Sequence, residues 1–387
     1  MQFQRFATDC KNKVGVMAEI GIGVVGAGYM GKAHSVAMAA VGAVFNTKLR
    51  PRLEMICTTT PEGALQKAQA YGFSASTSDW NALVTNPRVE AIVIASPQET
   101  HREIALAAFS LGKPVLCEKP LGESLADSRA MAEAAERAGA VNMVGFNYIR
   151  TPASQLARQI IASGEIGEIT YLRGEHTEDF LADPDLPSTW RTKGRANGNM
   201  GDLAPHIINA ATALGGSIQS LIADIQIVHQ TRPGTNGPEA VTNDDQAQIM
   251  CRFDSGAMGG LYISRIATGR KMGYAYDIYG TKGAIRFDQE DQNALWLYKG
   301  DQRPDRQGFT KILTGPEHPD YKPFCLGPGH GTGYQDQIII EARDFLEAIS
   351  NGRNSWPTFR DGMIVNQVIE AAFRSHDERR WVDVASI

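Results

Sequence analysis

Cysteine is sparse in this sequence: five residues among 387, at positions 10, 57, 117, 251 and 325, odd in number and with no CxxC pair. Such usage argues against a disulfide framework and against a cysteine zinc site, and it fits a reducing, cytoplasmic setting. Long apolar runs are missing as well. No stretch reaches the ~18 apolar residues of a membrane span, and residues 1–19 contain no apolar core of signal-peptide length. The chain is therefore read as soluble, with no membrane partner. Charge of one sign is nowhere massed: 38 Lys plus Arg stand against 43 Asp plus Glu, a formal net charge of −5, which leaves no footprint for nucleic acid. No group of His, Cys, Asp and Glu has metal-ligand spacing, so no metal is expected, and no GxSxG elbow is present. Internal repeats and low-complexity tracts are also absent.

What is present is enough length for two cores. A chain of 387 residues exceeds the size at which one hydrophobic core stops growing. Residues 20–150 alternate short β-branched runs with helical segments, the pattern of a parallel sheet with crossover helices. IGIGVVGAG (20–28) is strand then glycine loop, and LEMICTTT (53–60) is a second strand, with Thr60 and Pro61 opening a helix. VEAIVIAS (89–96) is continuously apolar, as a doubly buried strand should be. KPVLCEKP and VNMVGF supply two more strands, and Ser124 with Asp127 caps the helix between them. Beyond residue 165 the runs become strands separated by short turns, with one obvious helix near 203–214 and a hairpin turn at Tyr279–Gly283. The expected fold class is α/β: a doubly wound Rossmann sheet, then an α+β domain with a large, mostly antiparallel, open-faced sheet. The expected division is an N-terminal extension (1–19), a nucleotide domain (20–150) and a substrate and oligomerisation domain (151–387), whose last helices return to the first domain. Residues 1–16, ahead of Met17, are either a native tail or an overextended start. The Gly- and Pro-rich stretch 299–334 is long enough to be a functional loop.

Three motifs carry chemistry. GAGYMG (26–31) follows a strand and opens a helix. Gly26 permits the tight turn, Gly28 lets backbone approach a pyrophosphate, and Gly31 permits close helix packing, with the anion held at the helix N-terminus. A free ribose calls for Asp or Glu at the end of the second strand, but here stand Thr58, Thr59 and Thr60, with Lys67 the nearby helix cation. NAD and NADP both remain open. CEKP (117–120) puts a charged pair at the carboxyl end of a sheet strand, where doubly wound folds bind ligands, although a surface loop would also suit it. In GNMGDLAPH (198–206) the proline before the histidine fixes a helix start close to Asp202, with His206 on the same face.

Taken together, GAGYMG, ASPQETH (95–101), EKP, GFNYIRTPA (145–153), TWR (189–191), the Asp202 and His206 spacing and the GTKG hairpin resemble the Gfo/Idh/MocA family over residues 20–387. MGKAHS and GTGYQDQIIIEARDF (331–345) are similar to its branch of anhydrosugar and inositol dehydrogenases. The resemblance implies that Lys119 contacts the reacting hydroxyl and that Asp202 and His206 complete a catalytic trio. It places Glu118, Ser96, Pro97 and His101 along the nicotinamide ribose, and Trp190 with Arg191 at the cofactor's edge. Tyr29, Met30 and Asn147 join the cofactor-binding set, and Arg150 and Tyr334 reach the substrate. A homodimer or homotetramer is implied too. Two positions depart from the family pattern: Asn209, where an acid is usual, and Thr58.

Physical chemistry supports the trio. A hydride leaves a carbinol carbon more readily as its hydroxyl proton is removed, so a base near neutrality and a cation are needed. His206 suits the first role and Lys119 the second. The helix terminus favours neutral imidazole, while Asp202 favours imidazolium and orients the ring. Simpler readings stand beside these: Asp202 as an N-cap, His206 as a packed core histidine, Trp190 as a core aromatic. His176, near Glu178 and Asp179, either binds sugar hydroxyls or lies on a solvated face; His318 and His330 are read as surface residues. The functional expectation is an NAD(P)-dependent oxidoreductase transferring a hydride between nicotinamide and a secondary alcohol or ketone carbon of a sugar, anhydrosugar or inositol. The alternatives are a glycosidase that retains NAD and oxidises transiently, and a nucleotide-bound sugar sensor without chemistry.

Overall fold

The computed structural model describes residues 18–387. Residues 1–17, with Cys10 and the question of a tail or an overextended start, lie outside the described residues. The first sheet is built from β1 (Ala18–Val25), β2 (Leu49–Cys57), β3 (Ala75–Thr77), β4 (Ala91–Ile94), β5 (Val115–Glu118) and β6 (Asn142–Gly145). All its pairings are parallel and its order is β3-β2-β1-β4-β5-β6. The strand order reverses between β1 and β4, so a crevice opens beyond the carboxyl ends of the strands. Helices α1 (Tyr29–Phe45), α2 (Pro61–Tyr71), α3 (Trp80–Thr85), α4 (His101–Ser110) and α5 (Leu125–Ala138) make the crossovers. Thr60 and Ser124 cap α2 and α5 through their hydroxyls, as their positions before helical runs dictate.

Helix α6 (Pro152–Ala162) leads into β7 (Ile169–Thr177). After the single turn α7 (Asn199–Asp202) and helix α8 (Ala204–Gly215) come β8 (Ile218–Gln226) and a small hairpin, β9 (Thr231–Gly234) with β10 (Gly237–Ala240). Strands β11 (Gln246–Phe253), β12 (Met258–Ser264), β13 (Gly273–Gly280), β14 (Gly283–Asp288), β15 (Ala294–Lys299) and β16 (Thr310–Leu313) follow. Helices α9 (Tyr334–Asn351) and α10 (Phe359–Glu378) and the short β17 (Val382–Asp383) close the chain. The nine-stranded sheet runs β16-β15-β14-β13-β7-β12-β11-β8-β17, antiparallel throughout except for β7 with β12. The α/β architecture is thus the one that the sequence pattern implies.

Burial alternates along β11, with Ala247, Ile249, Cys251 and Phe253 covered and Gln248, Met250 and Arg252 exposed. One face of the sheet packs under α6, α8 and α10, and among the described residues no helix covers the other. Helix α9 packs back on the first domain, keeping a bond from Gln337 to Gln292 of the second at 2.6 Å. Its Ile338, Ile339, Ala342, Phe345 and Leu346 share one apolar cluster with Val41, Met38 and Ala37 of α1. Stretch 299–334 is more ordered than a free loop. It contains β16, and Tyr321 inside it is fully buried, donating to the Gly327 carbonyl and accepting from the Gly331 N–H at 2.8 and 2.9 Å. Phe324 meets Phe45 of α1 edge to face at 5.4 Å. The stretch therefore anchors Tyr334 beside the glycine loop.

Candidate active site

The glycine loop shows why its residues are glycines. Gly26 has φ +97°, and a Cβ there would lie 2.4 Å from the Ala95 carbonyl oxygen. A Cβ on Gly31 would stand 2.1 Å from the Gly26 carbonyl oxygen, so α1 can approach β1 only without a side chain. Gly28 is different: nothing lies within 4 Å of its absent Cβ. It is the N-cap of the 17-residue α1 and makes no side-chain cap bond, so the first N–H groups of the helix face an open cradle. That cradle fits a diphosphate by shape and by the helix dipole. Tyr29 is 72% exposed beside it and stacks on Tyr334 at 5.7 Å, while the Tyr334 hydroxyl donates to Met30 Sδ at 3.1 Å. Ser96 and Pro97 reach the same rim from the end of β4.

Lys119 follows β5 and meets the second half of the chain here. Its Nζ donates to Asp202 Oδ1 at 2.7 Å and to the Asp202 main-chain carbonyl at 2.9 Å. The other carboxylate oxygen of Asp202 accepts from Arg191 at 3.0 Å. Burial works against charge on Asp202, but Lys119 and then Arg191 overcome it and hold the carboxyl at about 2. The Arg191 guanidinium lies over the Trp190 ring at 4.4 Å, and Trp190 is 63% exposed, so it is not a core aromatic.

His206 is buried against Tyr148, ring centroids 4.4 Å apart, with Phe146 at 6.0 Å and His176 at 5.4 Å. Burial, reinforced by the Lys119 ammonium and by His176, holds its pKa well below 6.5. The ring is neutral at pH 7 and can accept a proton. His176 is not on a solvated face. Its Nδ1 lies 2.8 Å from the Leu203 carbonyl and its Nε2 3.3 Å from Glu178 Oε1. The backbone explains why the two histidines meet: Gly174, on the same face of β7, has no Cβ to collide with Ile207. Helix α8 therefore begins close above His176.

Several expectations need correction. Asp202 neither caps α8 nor hydrogen-bonds His206. Pro205 lacks an N–H, so the helix breaks at Leu203, which is the N-cap of α8 without a side-chain bond, and the carboxylate turns to Lys119 and Arg191. His101 does not face a ribose: it is buried, its Nε2 2.9 Å from the Ser96 carbonyl and its Nδ1 3.1 and 3.2 Å from those of Pro120 and Leu121. It braces the EKP loop from beneath. Arg150 does not reach the cleft. The turn 148–150 aims Tyr148 at His206 and Arg150 inward, where it pairs with Asp344 and donates to the Trp356 carbonyl at 2.7 Å. Burial lowers its pKa to about 10. Asn147 is likewise buried, donating to Gln337 Oε1 of α9 at 3.0 Å. Glu118 points away from the crevice, 2.7 Å from His34 Nε2, and accepts the Lys119 N–H at 3.2 Å. Thr58 and Thr59 do stand at the end of β2, but the Thr58 hydroxyl donates to the Thr60 carbonyl at 3.0 Å. Tyr148, which floors the site, was missed; only its place beside Asn147 after β6 could have signalled it.

A nucleotide cradle at the switch point and a Lys–Asp pair contributed jointly by the two halves of the chain lie at one mouth, and sequence comparison agrees. The description "Oxidoreductase family, NAD-binding Rossmann fold" matches residues 20–146, and "GFO/IDH/MocA C-terminal domain" matches residues 154–286. The chain belongs to the Gfo/Idh/MocA oxidoreductase family. Levoglucosan dehydrogenase of Pseudarthrobacter phenanthrenivorans is 37% identical, with 96% of this chain and 100% of the relative covered. Inositol 2-dehydrogenase of Rhizobium meliloti is 27% identical over 94% and 98% of the two chains. A solved structure of levoglucosan dehydrogenase in complex with NADH and levoglucosan superposes with a TM-score of 0.92 at 38% identity, covering 95% of this chain and 99% of that one. This oxidoreductase therefore carries an NAD-binding Rossmann fold.

Proposed function

We propose that this oxidoreductase oxidises a ring hydroxyl of a sugar, anhydrosugar or inositol, and reduces the corresponding ketone, with NAD as its cofactor. The observation that carries the reading is the Lys119–Asp202 ion pair beside a buried, neutral His206 at the mouth of the nucleotide crevice. Bound nicotinamide would supply the hydride acceptor. Backbone N–H groups of the Gly28 loop would hold the diphosphate, with Tyr29, Met30, Ser96, Pro97, Thr58, Thr59, Trp190 and Arg191 around the rest of the nucleotide.

The residues of this chain divide the remaining work. His206 takes the hydroxyl proton, for which a neutral imidazole is required. Lys119 has three N–H donors, two of which Asp202 engages, and the third stabilises alkoxide character on the reacting oxygen. Asp202 fixes that ammonium rather than the imidazole. Glu178, braced by His176, offers its carboxylate to a further hydroxyl, and Tyr148 with Tyr334 gives the sugar ring an apolar wall. Preference for NAD is supported at the end of β2. Lys67 is drawn over the Tyr71 ring at 5.5 Å, and the Asp79 carboxylate stands near enough to add to the burial that raises the Cys57 thiol. Negative charge there disfavours a 2′-phosphate. The open face of the nine-stranded sheet, with Met250 and Met258 exposed, supports pairing with a second copy; sedimentation velocity tests that.

The deciding experiment is a panel of polyols, aldoses and anhydrosugars, levoglucosan and myo-inositol among them, read at the NADH and NADPH absorbance band. Reduction of NAD by at least one cyclic member is expected. No turnover across the whole panel would remove the proposal.

A further inference from the structure

Beneath the site lies a buried cluster of ionisable side chains that the proposed reaction does not use. His34 of α1 is fully buried, and its Nε2 stands 2.7 Å from Glu118 Oε1. Burial opposes charge on His34, but the Glu118 bond, with Glu341 of α9 behind it, raises its pKa above 6.5. Glu341 is fully buried with no partner for either carboxylate oxygen among the described residues, and it feels the Arg150 guanidinium beyond. Glu118 is itself fitted to its place, because a Cβ on Gly145 would sit 2.9 Å from its Oε1. Its Oε2 accepts the backbone N–H of Lys119 at 3.2 Å. Three elements meet at this cluster: α1, which begins at the glycine loop, β5, which ends at Glu118 just before Lys119, and α9, which begins at Tyr334.

We propose that His34 is a positioning residue for Lys119, acting through Glu118 to hold the backbone of the lysine in register with the helix that carries the cofactor loop. The Lys119 ammonium is tied to Asp202 across the crevice, so both ends of this residue are then fixed. Freed at its backbone, the ammonium would sample positions away from the reacting oxygen. An ångström of misplacement is enough to slow such a step by about a hundredfold. The inference rests on the role given to Lys119 above.

The test compares His34→Asn, too short to reach Glu118, with His34→Gln, which keeps a donor at that distance, in the full-length protein. Turnover is measured with the fastest sugar of the panel, NADH binding by fluorescence, and labelling of Lys119 by trinitrobenzenesulfonate through peptide mass spectrometry. For His34→Asn, kcat should fall about tenfold or more, KM and NADH affinity should hold, and Lys119 labelling should accelerate. His34→Gln should restore all three toward wild type. Unchanged kcat and labelling in His34→Asn overturns the inference, and so does loss of NADH binding together with turnover in both variants, which would make His34 a folding residue. Lys119→Ala separates the two levels: if it stays active, the reading of the site fails, whereas an inactive Lys119→Ala beside a wild-type His34→Asn fails only the role of His34.

Discussion

Replacing Asp202 by Asn tests how the site is held together. The amide keeps the shape of the carboxyl but removes the charge between two cations, Lys119 at 2.7 Å and Arg191 at 3.0 Å. A carboxyl held at about 2 instead of 3.8 corresponds to about 2 kcal/mol of stability, which the 30% exposure of this side chain reduces to roughly 1 kcal/mol. The sign follows from the depressed pKa. This contribution is fully present above pH 4 and disappears as pH falls through about 2, so the unfolding free energies of variant and wild type should converge in acid. Catalysis should suffer more than stability. Lys119 loses its anchor, and the freed positive charge near His206 makes that imidazole a still weaker base. A kcat loss of about a hundredfold, or ~2.7 kcal/mol of transition-state stabilisation, is expected, with NADH affinity held. Chemical denaturation at pH 7 and pH 3, steady-state kinetics on the best sugar, and NADH fluorescence would measure these three quantities. A variant with kcat within threefold of wild type would show that Asp202 does not position the ammonium.

Other outcomes follow from the same geometry. Lys119→Ala and His206→Ala should each lose turnover yet still bind NADH; near-wild-type rates in both would falsify the assigned mechanism. Because His206 is held well below 6.5, log kcat/KM for oxidation should not bend between pH 6 and 8 on account of this residue, and a His206-dependent inflection near 6.5 in a pH profile would contradict its burial. Gly28→Ala meets no atom within 4 Å, so its melting temperature should stay at the wild-type value while NADH binding weakens; equal NADH affinity would mean that the cradle holds no diphosphate. Arg150→Met should cost about 1–3 kcal/mol, because Asp344 and the Trp356 carbonyl each lose a donor while Arg343 still pairs with Asp344, with KM for the sugar unchanged in whatever fraction folds. A selective rise in KM would return Arg150 to the substrate.

The sequence by itself determined the architecture and supplied the candidates for the chemistry, because both rest on local rules. Alternating apolar runs and caps specify strands and crossover helices, GAGYMG can only be a glycine turn with close packing, and EKP falls at the end of a strand wherever the sheet is parallel. Lys119, Asp202 and His206 could therefore be named as candidates before any coordinates. What each of them touches could not be named. Whether Asp202 serves a helix, an imidazole or an ammonium depends on a break at Leu203 and on a lysine 83 residues away, and no pattern in the chain records that meeting. The same holds for the inward turns of Arg150, His101 and Glu118, whose polar types suggest a cleft while packing against α9, β5 and α1 assigns them to the interior. Tyr148 and His176 became site residues only when α8 settled over Gly174. Spacing along the chain fixes which groups are available, and long-range packing decides which way each one faces.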